Sequence, residues 1–179
     1  MTSNSISTQQ TDEATDVQMP SPATNRPGKT IVVGVHRSDE HQTRELAEAV
    51  LEVAGPTNAT VHAVHVFTPT EYDRTLGHLN FDADYPPKPD TVAARHGGVR
   101  QVADRLTDPD REYSVPVEPH GRVADDVGPT LVDVADAVSA DRVIVGGRSR
   151  SAVGKAVFGD TAQHVLSNAP CPVTFVRTH

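Results

Sequence analysis

Two short glycine-bearing segments carry the residues best suited to chemistry in this chain. Val143–Ile144–Val145–Gly146–Gly147 is followed, twelve residues after Gly147, by Gly159–Asp160–Thr161. An apolar run that ends in glycines predicts a buried strand stopping in a tight turn. The apolar residues Ala162, Val165, Leu166 and Ala169 then recur at helical spacing. Strand, glycine turn, loop and helix N-terminus together can hold an anion. Backbone N–H groups stand unpaired there, and the helix dipole favours negative charge. Arg148, Arg150 and Lys155 lie between the two segments. They would offset the carboxylate of Asp160 and assist an anionic ligand.

Other residues have weaker claims. His62 and His65 stand three apart in an extended run, so they face opposite sides of a strand and share no metal. His36 and His41 flank a turn and a helix start. His120–Gly121–Arg122 follows a predicted strand, as a plain turn or as an edge of the binding crevice. Gly154–Lys155–Ala156 lacks the earlier glycine and the following Ser or Thr of a phosphate-binding loop, so that motif is rejected. The single cysteine, Cys171 between Pro170 and Pro172, excludes an internal disulfide and reads as a small buried hydrophobe. No metal site and no catalytic set is assigned.

The elements that would position the glycines follow from periodicity. Ile31, Val32, Val33 and Val35 predict a first strand, with Ser38 capping a helix that carries Leu46, Ala47, Val50, Leu51 and Ala54 and stops at Gly55–Pro56. Ala59 to Phe67 predicts strand two. The proline-bearing stretch from 68 to about 90 predicts a long loop. Val99, Val102, Ala103 and Leu106 predict a second helix, and alternating Tyr113, Val115 and Val117 a third strand. Val127 to Val138 predicts a third helix, broken or kinked at its start by Gly128–Pro129. Asp141–Gly146 is strand four, Gly159–Asn168 helix four and Val173–Val176 strand five. Short Val-rich strands alternating with helices predict an α/β domain with a parallel sheet covered on both faces.

Composition narrows the class. Three lysines stand against thirteen arginines, and sixteen aspartates against eight glutamates. With a net charge of −8, general affinity for nucleic acid is not expected. The acid-rich, lysine-poor balance predicts a salt-adapted, halophilic source. No apolar run approaches the ~18 residues of a membrane span, and no apolar signal core opens the chain. A cytoplasmic protein without a membrane partner is expected. Residues 1–28, rich in Ser, Thr, Gln and Asn, predict a disordered polar tail before an ordered domain over 29–179.

The stretch from about 29 to 178 resembles the universal stress protein family. The family's nucleotide-binding pattern is Gly, two residues, Gly, nine residues, then Gly–Ser or Gly–Thr. Here Gly146 fits the first position, Ser149 stands at the second and Gly159–Asp160 at the last, with the spacing intact. The ending Asn168–Ala169–Pro170–Cys171–Pro172–Val173 is also similar. The resemblance implies a doubly wound, Rossmann-like, five-stranded parallel sheet in the order 3-2-1-4-5. It implies a homodimer paired through the last strand, with further protein partners unidentified. It also implies a regulatory, non-catalytic role in the stress response, with ATP or a related adenine nucleotide bound, with or without Mg²⁺. By position, phosphate contacts fall on Gly146, Ser149, Gly159 and Asp160, and adenine and ribose contacts on Gly34, His36 and Val66. Three positions depart from the pattern: His36 replaces an Asp, Ser149 a Gly, and Asp160 a Ser or Thr that would donate to phosphate. Asp160 could instead cap its own helix. Two alternatives therefore stay open: a dimeric interaction protein that has lost the nucleotide, and an ATPase or nucleotidyl transferase.

Overall fold

The computed structural model describes residues 28–36, 40–82, 85–147, 150–152 and 155–178, with the side chains of 150–152 and 155–157 left aside. The predicted tail over 1–28 falls almost wholly outside that range, as does Ser38, the proposed cap of the first helix. The strands of the main sheet are β1 (Thr30–Gly34), β2 (Thr60–Phe67), β3 (Val117–Val123), β4 (Arg142–Gly147) and β7 (Val173–Arg177). A separate ribbon pairs β5 (Arg150–Ala152) with β6 (Lys155–Val157). The helices are α1 (Glu40–Ala54), α2 (Pro69–His78), α3 (Pro89–Ala93), α4 (Gly97–Leu106), α5 (Val127–Ala137) and α6 (Asp160–Asn168).

The main sheet has five strands in the order β3-β2-β1-β4-β7, all pairs parallel. This is the expected 3-2-1-4-5 arrangement. Each central strand is apolar on both faces because helices cover both. Ile31, Val33 and Val35 face α1 and α4, joining Leu46, Val50, Val99, Val102, Leu106 and Ile144 in one buried cluster. Val32 points the other way, to a cluster with Val64, Val66, Leu131, Val134, Val143, Val145 and Val165. A third, smaller core seats Phe67, Val92 and Ala93 under Tyr72, Leu76, Leu79 and Phe81.

Four expectations need correction. The 68–90 stretch is not a long loop, since α2 and the start of α3 lie within it. Thr68 caps α2, its Oγ1 accepting the Glu71 N–H at 3.2 Å, and Pro69 occupies the first turn, where a missing N–H costs nothing. Strand three lies further along than Tyr113–Val117, so His120, Gly121 and Arg122 belong to β3 itself. Gly128–Pro129 does not break the third helix. That helix starts at Val127, and the proline falls in the first turn, where the backbone N–H has no intrahelical partner. Cys171 is only half-buried, and what burial it has pushes its thiol pKa up.

Candidate functional site

In a doubly wound sheet the crevice opens where strand order reverses, at the carboxyl ends of the strands. Here that point lies between β1 and β4. Gly34 stands opposite Val145; beyond that pair Val35–His36 run out of β1, while Gly146–Gly147 continue in β4 opposite Val176 and Arg177 of β7, at the same end of the sheet. Gly34 also stands opposite Val64, which brings Val66 two residues further along β2 to the same end. The side chain of Val66 is buried among Leu131 and its neighbours. His36 is exposed at the rim.

The glycines differ in what they are for. A Cβ on Gly34 would meet Leu131 Cδ1 at 3.0 Å, and one on Gly147 would meet Phe175 Cε2 at 3.1 Å, so internal packing favours glycine at both. A Cβ on Gly146 would make ordinary contact with Leu46 at 3.5 Å. Among the described residues, nothing lies within 4 Å of where a Cβ on Gly159 would be. Its φ of −65° is open to any residue. Neither its backbone conformation nor contact with the described residues requires glycine there.

Gly159 is the N-cap of α6, and being glycine it offers no side chain to cap that helix. Asp160 is therefore the first helical residue and not the cap. The expectation that its carboxylate could consume the N-terminal N–H groups as a cap is corrected. Asp160 and Thr161 are both exposed. The nine residues that separate Ser149 from Gly159 contain the β5–β6 ribbon, with Arg150 opposite Val157 and Ala152 opposite Lys155. A hairpin returns the chain to its starting point, which is how a fixed spacer can bring β4 and the start of α6 to one rim. Ser149 and Arg148 lie outside the described residues.

The chain beside His36 is held by groups that sequence reasoning did not single out. His65, 1% exposed, has Nδ1 2.8 Å from the Val35 carbonyl, which fixes that nitrogen as the N–H donor. Its ring stacks on His96, with centroids 3.8 Å apart and planes inclined by 19°. Nε2 makes no hydrogen bond and sits 3.6 Å from Glu71 Oε1. Burial pushes the His65 pKa down, against the opposing pull of the Val35 carbonyl and Glu71. A neutral ring follows, with its lone pair on Nε2. The readable signal is the alternation on β2: with Val61 and Ala63 directed at the α1–α4 core, His65 has to follow them into it.

With the rim in view, comparison with known proteins gives it a class. Residues 28–177 match the profile of the universal stress protein family. A universal stress protein of Thermus aquaticus is 32% identical over 150 residues, covering 83% of this chain and 98% of that protein. One from Mycolicibacterium smegmatis is 34% identical over 90 residues, covering 50% of this chain and 66% of that protein. The chain belongs to the universal stress protein family. Among solved structures, a universal stress protein in complex with cAMP superposes with a TM-score of 0.55 at 20% identity, covering 85% of this chain and 98% of the other. The Archaeoglobus fulgidus universal stress protein in complex with dAMP gives 0.53 at 20% identity, covering 83% and 98%. These structures share the Rossmann-like α/β fold.

Proposed function

We propose that this protein is a non-catalytic stress-response module whose domain over 29–179 binds an adenine nucleotide, ATP or a relative of it, at the β1–β4 rim. The ligand would rest on Gly34, His36 and Val66 at its base and ribose end. Gly146, Gly147, Ser149, Gly159, Asp160 and Thr161 would serve the phosphates. The observation that carries this reading is the start of α6: a helix N-terminus with a glycine at its cap and, among the described residues, open space over Gly159, at the carboxyl end of β4 in a doubly wound sheet. That two relatives of the same fold were solved with cAMP and dAMP supports the choice of an adenine nucleotide. Asp160 is the carboxylate that could take a phosphate-bound Mg²⁺.

The nucleotide acts here as a regulator. It can shift an equilibrium between two states only by its difference in affinity for them. The dimer offers such an equilibrium. β7 ends the sheet order, with its outer edge unpaired among the described residues. Edge-to-edge pairing of β7 with a second copy would cover it. The acid-rich composition fits a cytoplasm of high salt, and no helix among the described residues is long and apolar enough to cross a membrane.

One observation favours the nucleotide-free interaction protein: Asp160 puts a carboxylate where phosphate would sit. The test is purification in molar KCl, mass analysis of any co-purifying nucleotide and a thermal-shift titration with ATP and Mg²⁺. A rise in melting temperature supports binding, because a ligand bound only by the folded state stabilises it. No shift at millimolar ATP would favour the interaction protein, and phosphate release above background an enzyme.

A further inference from the structure

The β2–β3 edge of the sheet holds a second arrangement, separate from the β1–β4 rim in its residues and its chemistry. β2 and β3 run parallel at the sheet edge, with His62 opposite Glu118 and Val64 opposite His120. His62, Glu118 and His120 therefore share one face. Their tips converge. His62 Nδ1 lies 2.8 Å from His120 Nε2. Glu118 Oε2 lies 3.5 Å from His62 Nδ1 and 4.0 Å from His120 Nε2.

Three lone-pair-bearing atoms thus form a small triangle. A proton shared between the two rings serves one N···N contact and leaves the carboxylate oxygen weakly engaged. A cation serves all three. Zinc bonds of ~2.0–2.1 Å in a tetrahedral site hold ligand atoms roughly 3.3–3.4 Å apart, a value that the three separations bracket. The rings are tilted by 38°, with centroids 4.9 Å apart, so the nitrogens converge without the rings stacking. The His65–His96 pair is different. Its planes are nearly parallel, so an ion in the plane of one ring lies out of the plane of the other, although Glu71 is also close by.

The surroundings suit a divalent ion. His62 is 9% exposed, which limits the wandering of its ring, whereas the Glu118 side chain is 61% exposed and leaves a path for the ion and for a completing water. Arg122 is the nearby positive charge, and its guanidinium is paired with Asp90 at 3.0 Å. An incoming ion would therefore meet Glu118 and Asp90 against a single arginine.

We propose that His62, His120 and Glu118 form a zinc-class metal site with an open fourth position, which clamps the edge strand β3 to β2. The test is a zinc titration of the full chain, stripped of metal, in competition with a chromophoric chelator. Cobalt substitution then reads the coordination by visible absorption. The expected result is tight zinc binding together with the intense bands of tetrahedral cobalt. His120→Gln should weaken zinc by more than ~100-fold, beyond the roughly 10–100-fold that loss of a supporting partner costs. His96→Gln should leave the affinity within about threefold, because the stacked pair is not the site. Should His120→Gln fail to fold, Glu118→Gln decides the matter, since that side chain is exposed; at least tenfold weaker zinc binding is expected from it. Zinc affinity unchanged in Glu118→Gln, or wild-type binding weaker than millimolar, would overturn the proposal.

Discussion

Gly34 lies directly opposite Val145 in the parallel ladder of β1 and β4, although most of the chain separates them in sequence. This one register position makes neighbours of the two segments on which the proposed nucleotide site at the rim depends. It also opens that binding to tests at single residues.

The first concerns Asp160. A carboxylate ~4 Å from a phosphate charge costs roughly 1–4 kcal/mol at effective dielectrics between water and protein surface. In the absence of Mg²⁺, Asp160→Ser is expected to tighten ATP by about fivefold to several hundredfold. Calorimetry at low and molar KCl checks it, and the gain should shrink in high salt as the Debye length falls to ~3 Å. Unchanged or weaker affinity at low salt would remove the charge argument.

Gly159 and Gly121 make a contrasting pair. A Cβ on Gly159 meets nothing within 4 Å, whereas one on Gly121 would strike the Pro89 carbonyl and stand 3.0 Å from the Asp90 nitrogen. Gly159→Ala should change the stability of the free protein by no more than about 1 kcal/mol, a cap effect, while weakening ATP. Gly121→Ala should cost about 1–3 kcal/mol by forcing α3 off β3 and leave ATP affinity alone. Thermal melts with and without ATP separate the two.

Much of the fold is legible in the sequence. The Val-rich runs of β1, β2 and β4 need both faces covered, and the stripes of α1, α4, α5 and α6 supply the cover. The failures have physical causes. β3 carries Glu118, Pro119, His120 and Gly121 because it is an edge strand, with less apolar surface to bury than its neighbours. The apolar alternation just before it places the predicted strand too early. Nearby prolines hide α2, although Thr68–Pro69–Thr70–Glu71 spells a helix start. Spacing along the chain keeps His62 and His65 on opposite faces, but it is silent about His120, which meets His62 from another strand.

His65 sets a pH dependence. Its folded pKa is pushed below the ordinary value by burial. The unfolded state therefore takes up the proton first as pH falls. The stability contributed by the neutral ring is complete above the unfolded pKa of ~6.5 and is lost between there and the lower folded value. His120, shifted the same way, adds to the effect. Melting temperature should fall on the acid side of neutrality, and His65→Gln should flatten that limb. An identical slope in the variant would show that His65 is not the group responsible.

The edge strand β7 gives a test of assembly. The Thr178 N–H donates inward to the Gly147 carbonyl at 3.1 Å. By strand alternation the Arg177 N–H points outward, to the edge where the proposed second copy would pair. Arg177→Pro removes that donor. Light scattering should show a shift from dimer to monomer; an unchanged mass would place the dimer interface elsewhere.

The central claim is most directly tested by amide NMR during an ATP titration in molar KCl. Shifts concentrated at Val35–His36, Gly146–Gly147 and Gly159–Thr161 are the expected result. An unperturbed spectrum at millimolar ATP, or shifts gathered away from the β1–β4 rim, would contradict it.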